Sequence, residues 1–83
     1  MNRPDIIVVD ARGLMCPLPL LRLKKALMDA PESGLLAVLA TDPAAKIDLG
    51  VYLEQVSHEL LSMEENSEGV LEVLIRKISA PSA

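Results

Sequence analysis

Short runs of branched apolar residues alternate along this chain with stretches in which leucines recur every three or four positions. Ile6, Ile7, Val8 and Val9, bounded by Pro4 and Asp10, predict a buried strand. Residues 17–30 change period: Leu20, Leu23 and Leu27 fall on one helical face, and Arg22, Lys25 and Asp29 on the other. Pro31, Glu32, Ser33 and Gly34 end that helix, and residues 35–40 form a second apolar strand. Thr41-Asp42-Pro43 is a helix-entry signal, with Asp42 as N-cap and Pro43 at the first helical position. The predicted second helix runs to about Val56 with Ile47, Val51 and Val56 inward, and Gly50 is its weak point. Residues 58–65 read as a strand, 66–69 as a turn and 70–78 as a last strand. In that last strand Leu71, Val73 and Ile75 alternate with Glu72 and Arg76, which leaves one face wet.

The order βαβαββ predicts an α+β fold: a two-layer sandwich, two helices packed on one face of a four-stranded mixed sheet whose other face is partly polar. With 83 residues the chain is expected to be one domain over 1–83, its core about 6–78. A domain of this size has no room for a large enclosed pocket. Tyr52 is the one aromatic residue, so a flavin or an unstacked base has almost nothing to stack on, and no cofactor is expected. The longest apolar runs fall far short of the ~20 residues of a membrane span. The N-terminal residues lack the apolar stretch of a signal peptide. A cytoplasmic protein that does not engage membranes is the expectation.

Charge adds an asymmetry. Residues 1–30 carry five basic and three acidic residues, a balance of +2, and the remainder three basic and nine acidic, −6, making the net −4. An acidic chain without a basic stripe argues against tight, direct nucleic-acid binding. Within the positive part, Arg12, Arg22, Lys24 and Lys25 form either a docking patch for an acidic partner or a solvated helix face.

The same part holds the sole thiol, in Asp10-Ala11-Arg12-Gly13-Leu14-Met15-Cys16-Pro17-Leu18-Pro19. The prolines predict Cys16 at the N-cap, Pro17 at N1 and Pro19 at N3, a rigid pedestal at the mouth of the first helix. There the macrodipole and the free N–H groups of Leu18 and Leu20 are expected to lower the thiol pKa. The bland alternative is a small buried hydrophobe, the usual state of a lone cysteine. A single cysteine excludes an intramolecular disulfide and a thioredoxin-like cycle within one chain. One cysteine and one histidine cannot close a zinc site, so no metal is expected.

This segment resembles the Cys-Pro-x-Pro signature of the TusA-like (SirA/YedF-related) sulfur carriers. Asp10, Gly13, Leu14, Cys16, Pro17 and Pro19 match it. The likeness continues at Thr41-Asp42-Pro43, at Asp48 and at His58-Glu59-Leu60-Leu61. It implies a persulfide on Cys16, a sulfurtransferase in the carrier sense, within a site scaffolded by Asp10, Gly13, Pro17 and Pro19. The implied partners are a sulfur donor, either a cysteine desulfurase or a rhodanese, and a sulfur acceptor protein. Transfer-RNA thiolation, cofactor maturation and sulfur oxidation would use the same chemistry. Tyr52 and Ser57 depart from the pattern, where a tryptophan or phenylalanine and a glycine are expected, and Ser57 puts a tight turn before the third strand in question.

His58 is expected to hydrogen-bond structurally, and Asp10 to cap loop N–H groups, because a carboxylate close to Cys16 would raise the thiol pKa. Met15 is expected to make the surface beside the thiol apolar. Two rivals to the carrier reading stand: a regulatory interaction domain without sulfur chemistry, and a one-cysteine thiol peroxidase. For the peroxidase no histidine or arginine pair lies at local spacing.

Overall fold

The computed structural model of the chain describes residues 6–78. Its elements are β1 (Ile6–Ala11), α1 (Leu18–Asp29), β2 (Leu35–Ala40), α2 (Ala45–Gln55), β3 (Glu59–Glu65) and β4 (Leu71–Arg76). The order is βαβαββ, with two helices on a four-stranded mixed sheet, as the periodicities predict. The strands lie in the order β1-β2-β4-β3. β1 runs parallel to β2 in a register that pairs Ile6 with Leu35 and Ala11 with Ala40, so the two strands end side by side. A parallel pair needs a crossover, and α1 supplies it. β4 is antiparallel to both β2 and β3.

Both helices bury an i, i+4, i+8 stripe: Pro19, Leu23 and Leu27 on α1, Ala45, Leu49 and Leu53 on α2. The sheet meets them with Val9, Leu36, Val38, Ala40, Leu71, Val73 and Ile75. No polar or charged side chain is buried among the described residues. Leu20 of α1 is half-buried at the margin of this core.

The second helix departs from expectation in two ways. It begins at Ala45, two residues after Pro43, because Asp42 through Ala44 form a turn closed by the Ala45 N–H on the Asp42 carbonyl (2.9 Å). Its inward face is also different: Ile47 is 70% exposed and Val51 is exposed, while Leu49 is fully buried. Two apolar stripes run along α2, so periodicity alone could not choose between them. Val56 lies just past the helix and does pack against the core.

The turn after α1 is tight. Ser33 adopts a left-handed φ of 62°, and a Cβ added at Gly34 would lie 2.9 Å from the Pro31 carbonyl oxygen. Ser57 keeps a negative φ, since Ser33 is the only non-glycine residue with positive φ among those described, so no glycine is required before β3. His58 Nδ1 accepts the Ile78 N–H (3.0 Å), the structural role expected of it.

The open face of the sheet is less polar than the alternation in β4 suggests. Val8, Ala37, Leu74 and Ser62 are cross-strand neighbours on it, with Ile6 and Leu35 beside them. β3 is exposed almost throughout, and a register shift between Leu60 and Ser62 marks a bulge.

Leu49→Ala removes buried methyl groups from the core and is expected to cost about 2–5 kcal/mol. Ile47→Ala, two residues away on the exposed stripe, should change stability by less than about 0.5 kcal/mol. Urea unfolding of the two variants checks this, and equal losses would mean that α2 is rotated relative to the face described.

Candidate functional site

Because β1 and β2 are parallel and end together, the loops that follow them meet at one edge of the sandwich. Their contacts are specific. The Gly13 N–H donates to Thr41 Oγ1 (2.8 Å), and the Cys16 N–H donates to Asp42 Oδ2 (2.7 Å). Asp42 Oδ1 also accepts the Ala44 N–H (3.3 Å), which fixes its carboxylate between the two loops. Gly13 has φ 78°, a conformation that suits glycine, and the Leu14 N–H closes the turn onto the Ala11 carbonyl (3.2 Å).

Cys16 is exposed, which removes the buried-hydrophobe reading. It does not occupy the cap. The Leu18 N–H donates to the Met15 carbonyl (2.8 Å), forming a turn over Cys16 and Pro17, whose shared peptide bond is cis. Pro17 is therefore the N-cap, with Leu18 and Pro19 at N1 and N2, one position later than the prolines suggest. The Leu18 N–H is already spent on Met15 and is not free for a thiolate.

The thiol instead donates to Asp48 Oδ2 (2.7 Å), in the first turn of α2. The expected acidification is thus reversed. The hydrogen bond to Asp48 comes first, then desolvation, then the negative charges of Asp48 and Asp42, and all push the Cys16 pKa above its ordinary value. The carboxylate that matters is not Asp10. Asp10 accepts the Arg12 N–H (3.1 Å) and forms a two-point ion pair with the Arg12 guanidinium (both contacts 2.9 Å). These bonds hold its pKa at about 2. Arg22 adds a weak contact to the Asp10 carbonyl (3.4 Å). Asp10 thereby caps its own loop, as expected.

A shallow groove of about 340 Å³ runs from Cys16 between the helices, lined by Pro17, Leu20, Lys24, Asp48, Val51 and Tyr52 among others. Lys24 Nζ lies 5.2 Å from the centre of the Tyr52 ring. The four basic residues do not make one patch. Arg12 and Arg22 line a hollow with Asp10, Gly13 and Leu14, Lys24 borders the thiol groove, and Lys25 pairs with Asp29 (3.6 Å). Met15, beside the thiol, is 72% exposed and gives the surface an apolar element. Among the described residues no group of three or more His, Cys, Asp or Glu side chains could hold a metal ion. No helix among them is long and apolar enough to cross a membrane.

The sequence marks Thr41 as part of a helix-entry signal and Asp48 as a point of family likeness, but gives neither a role at the thiol. The signal for both was the equal length and parallel run of the first two strands, which brings residues 26 to 32 positions apart together at their ends.

Residues 7–77 match the family model described as Sulfurtransferase TusA. A sulfur carrier protein TusA of Pseudomonas syringae pv. syringae is 41% identical over 71 residues, covering 86% of this chain and 83% of its own. A sulfur carrier protein TusA of Pseudomonas fluorescens is 39% identical over 83 residues, covering 95% of this chain and 99% of its own. Among solved structures, a SirA-like protein from Desulfitobacterium hafniense superposes with a TM-score of 0.76 at 32% identity, covering 88% of this chain and 99% of its own.

The Asp48 contact makes a measurable prediction. Thiolate absorbance near 240 nm, followed against pH, should rise with a midpoint above the ordinary cysteine value of about 8.5. A midpoint at or below that value would mean that the carboxylate does not hold the thiol in solution.

Proposed function

The chain belongs to the TusA sulfurtransferase family, and we propose that it carries sulfane sulfur as a persulfide on Cys16. It accepts the atom from a donor of the cysteine desulfurase or rhodanese kind and passes it to a cysteine of an acceptor protein. One observation carries this reading: the chain's sole cysteine is exposed on two hydrogen-bonded loops, at the end of an open groove. A substrate enzyme needs a concave pocket that excludes water. A relay needs the opposite, a sulfur that another protein's cysteine can reach.

The parts of the site have separate tasks in this reading. Gly13 lets the loop turn, and Asp10 braces it through Arg12. Pro17 occupies the N-cap position of α1, and Pro19, buried in the first turn, stiffens the start of the helix next to the thiol. A one-cysteine peroxidase needs cationic donors at the sulfur to polarise peroxide, and the side chains that hydrogen-bond Cys16 are two carboxylates, Asp42 and Asp48. On the α1 side Arg22 and Lys24 offer partners positive charge outside any ion pair among the described residues, while Arg12 and Lys25 are paired with Asp10 and Asp29.

Incubated with a cysteine desulfurase and cysteine, or with a rhodanese and thiosulfate, the protein should gain the mass of one sulfur atom. A reductant should remove it, and Cys16→Ser should never acquire it. Failure of several competent donors to load the wild type would favour the interaction-domain reading, in which Cys16→Ser keeps full activity.

Arg22→Glu combined with Lys25→Glu should slow transfer to the cognate partner at low salt. The difference should shrink as ionic strength rises, because screening acts over about 8–10 Å under physiological conditions. An unchanged rate at low salt would return these residues to a solvated face.

A further inference from the structure

An exposed thiol held by a carboxylate presents a chemical problem. Thiol–persulfide exchange proceeds through attack by sulfur that has lost its proton, yet this site keeps the proton on. The titratable groups around Cys16 are Asp42 from the loop between β2 and α2, whose Oδ2 accepts the Cys16 backbone N–H, Asp48 from α2, and Lys24, which lines the same groove from α1. Of these only Asp48 has a hydrogen bond with the sulfur, its Oδ2 at 2.7 Å.

We propose that Asp48 is a catalytic residue of sulfur transfer: it takes the Cys16 thiol proton as Sγ attacks the donor's terminal sulfur, and returns it when the sulfur is delivered. The proposal rests on the persulfide-carrier reading above. On loading, Sγ forms a bond to the terminal sulfur of the donor persulfide and the donor's S–S bond breaks. The thiol proton passes to Asp48 and from there to the departing donor thiolate, leaving Cys16–S–SH and a donor thiol. On delivery the acceptor cysteine attacks the same terminal sulfur, the Cys16 S–S bond breaks, and Sγ departs with the electron pair. It recovers a proton that the attacking thiol has given up through Asp48. No net oxidation or reduction occurs in either step.

The carboxylate is a weak base against a resting thiol. Once Sγ begins to bond to a second sulfur, however, its affinity for the proton collapses and the transfer to oxygen becomes downhill. This is general-base catalysis with the base pre-positioned, worth roughly 10²–10⁴-fold in favourable cases. A raised thiol pKa is then no obstacle, because free thiolate is not the attacking species. The empty carrier stays protonated until an electrophilic sulfur arrives.

The test compares wild type, Asp48→Asn and Asp48→Glu by three measurements. Thiolate fraction against pH comes from absorbance near 240 nm. Alkylation by iodoacetamide, whose reactivity does not titrate, reports nucleophilicity. Loading from glutathione persulfide, which needs no protein partner, reports sulfur transfer by mass. Asp48→Asn should lower the thiolate midpoint, yet its loading rate divided by thiolate fraction should fall on the order of 100-fold at about pH 7. Asp48→Glu should recover part of that rate. Below its midpoint the wild type should alkylate faster than its thiolate fraction allows, whereas Asp48→Asn should follow its own fraction. A wild-type alkylation rate that tracks thiolate fraction overturns the assignment, and this arm needs no variant to fold. Equal rates per thiolate in wild type and Asp48→Asn overturn it as well. If protein donors fail to load the wild type, the carrier reading falls alone, and the alkylation and glutathione persulfide profiles still decide the role of Asp48.

Discussion

The site depends on a backbone constraint rather than on any one reactive group. β1 and β2 are parallel, equally long and in register, so the segments leaving their ends must start as neighbours. Two hydrogen bonds then convert proximity into fixed geometry, from Gly13 to Thr41 and from Cys16 to Asp42. Removing the parallel pairing would leave the thiol loop, the Asp42 turn and the first turn of α2 with no reason to meet. Open α/β sheets gather their chemistry beyond the carboxyl ends of parallel strands for the same reason. Here a single parallel pair suffices.

The electrostatics of the thiol are a contest decided by distance. A helix N-terminus favours an exposed anion only weakly. The hydrogen bond to the Asp48 carboxylate acts at contact distance and favours the protonated form. The direct contact from Asp48 therefore outweighs the dipole, even before the Leu18 N–H is counted as already engaged. The broad excess of basic residues in 1–30 does not change this, because Arg12 spends its charge on Asp10 and Lys25 on Asp29.

Much of the architecture was legible from local pattern. Runs of Ile and Val marked β1, strict alternation marked β4, and Leu23 and Leu27 marked the inner face of α1. α2 was located but misoriented, since Ile47 and Val51 offer an apolar stripe as good as that of Leu49 and Leu53 until the sheet selects one. The thiol's position was legible, as was the hydrogen bonding of Asp10 and His58. Its protonation was not, because the deciding partner lies 32 residues away. No spacing rule within a single element reaches that far. The one-residue error at the head of α1 has a local cause: the Met15-to-Leu18 turn uses the residues that the cap was expected to use.

The bulged outer strand has a bearing on how the protein survives at high concentration. A sheet edge presents a row of unpaired donors and acceptors, and a flat apolar edge recruits strands from other molecules. β3 interrupts its own ladder between Leu60 and Ser62 and carries Glu59, Glu64 and Glu65 on exposed positions. A second chain aligning against it would meet a broken hydrogen-bond spacing and concentrated negative charge. On this side the sheet is terminated by its own sequence, which discourages self-polymerisation.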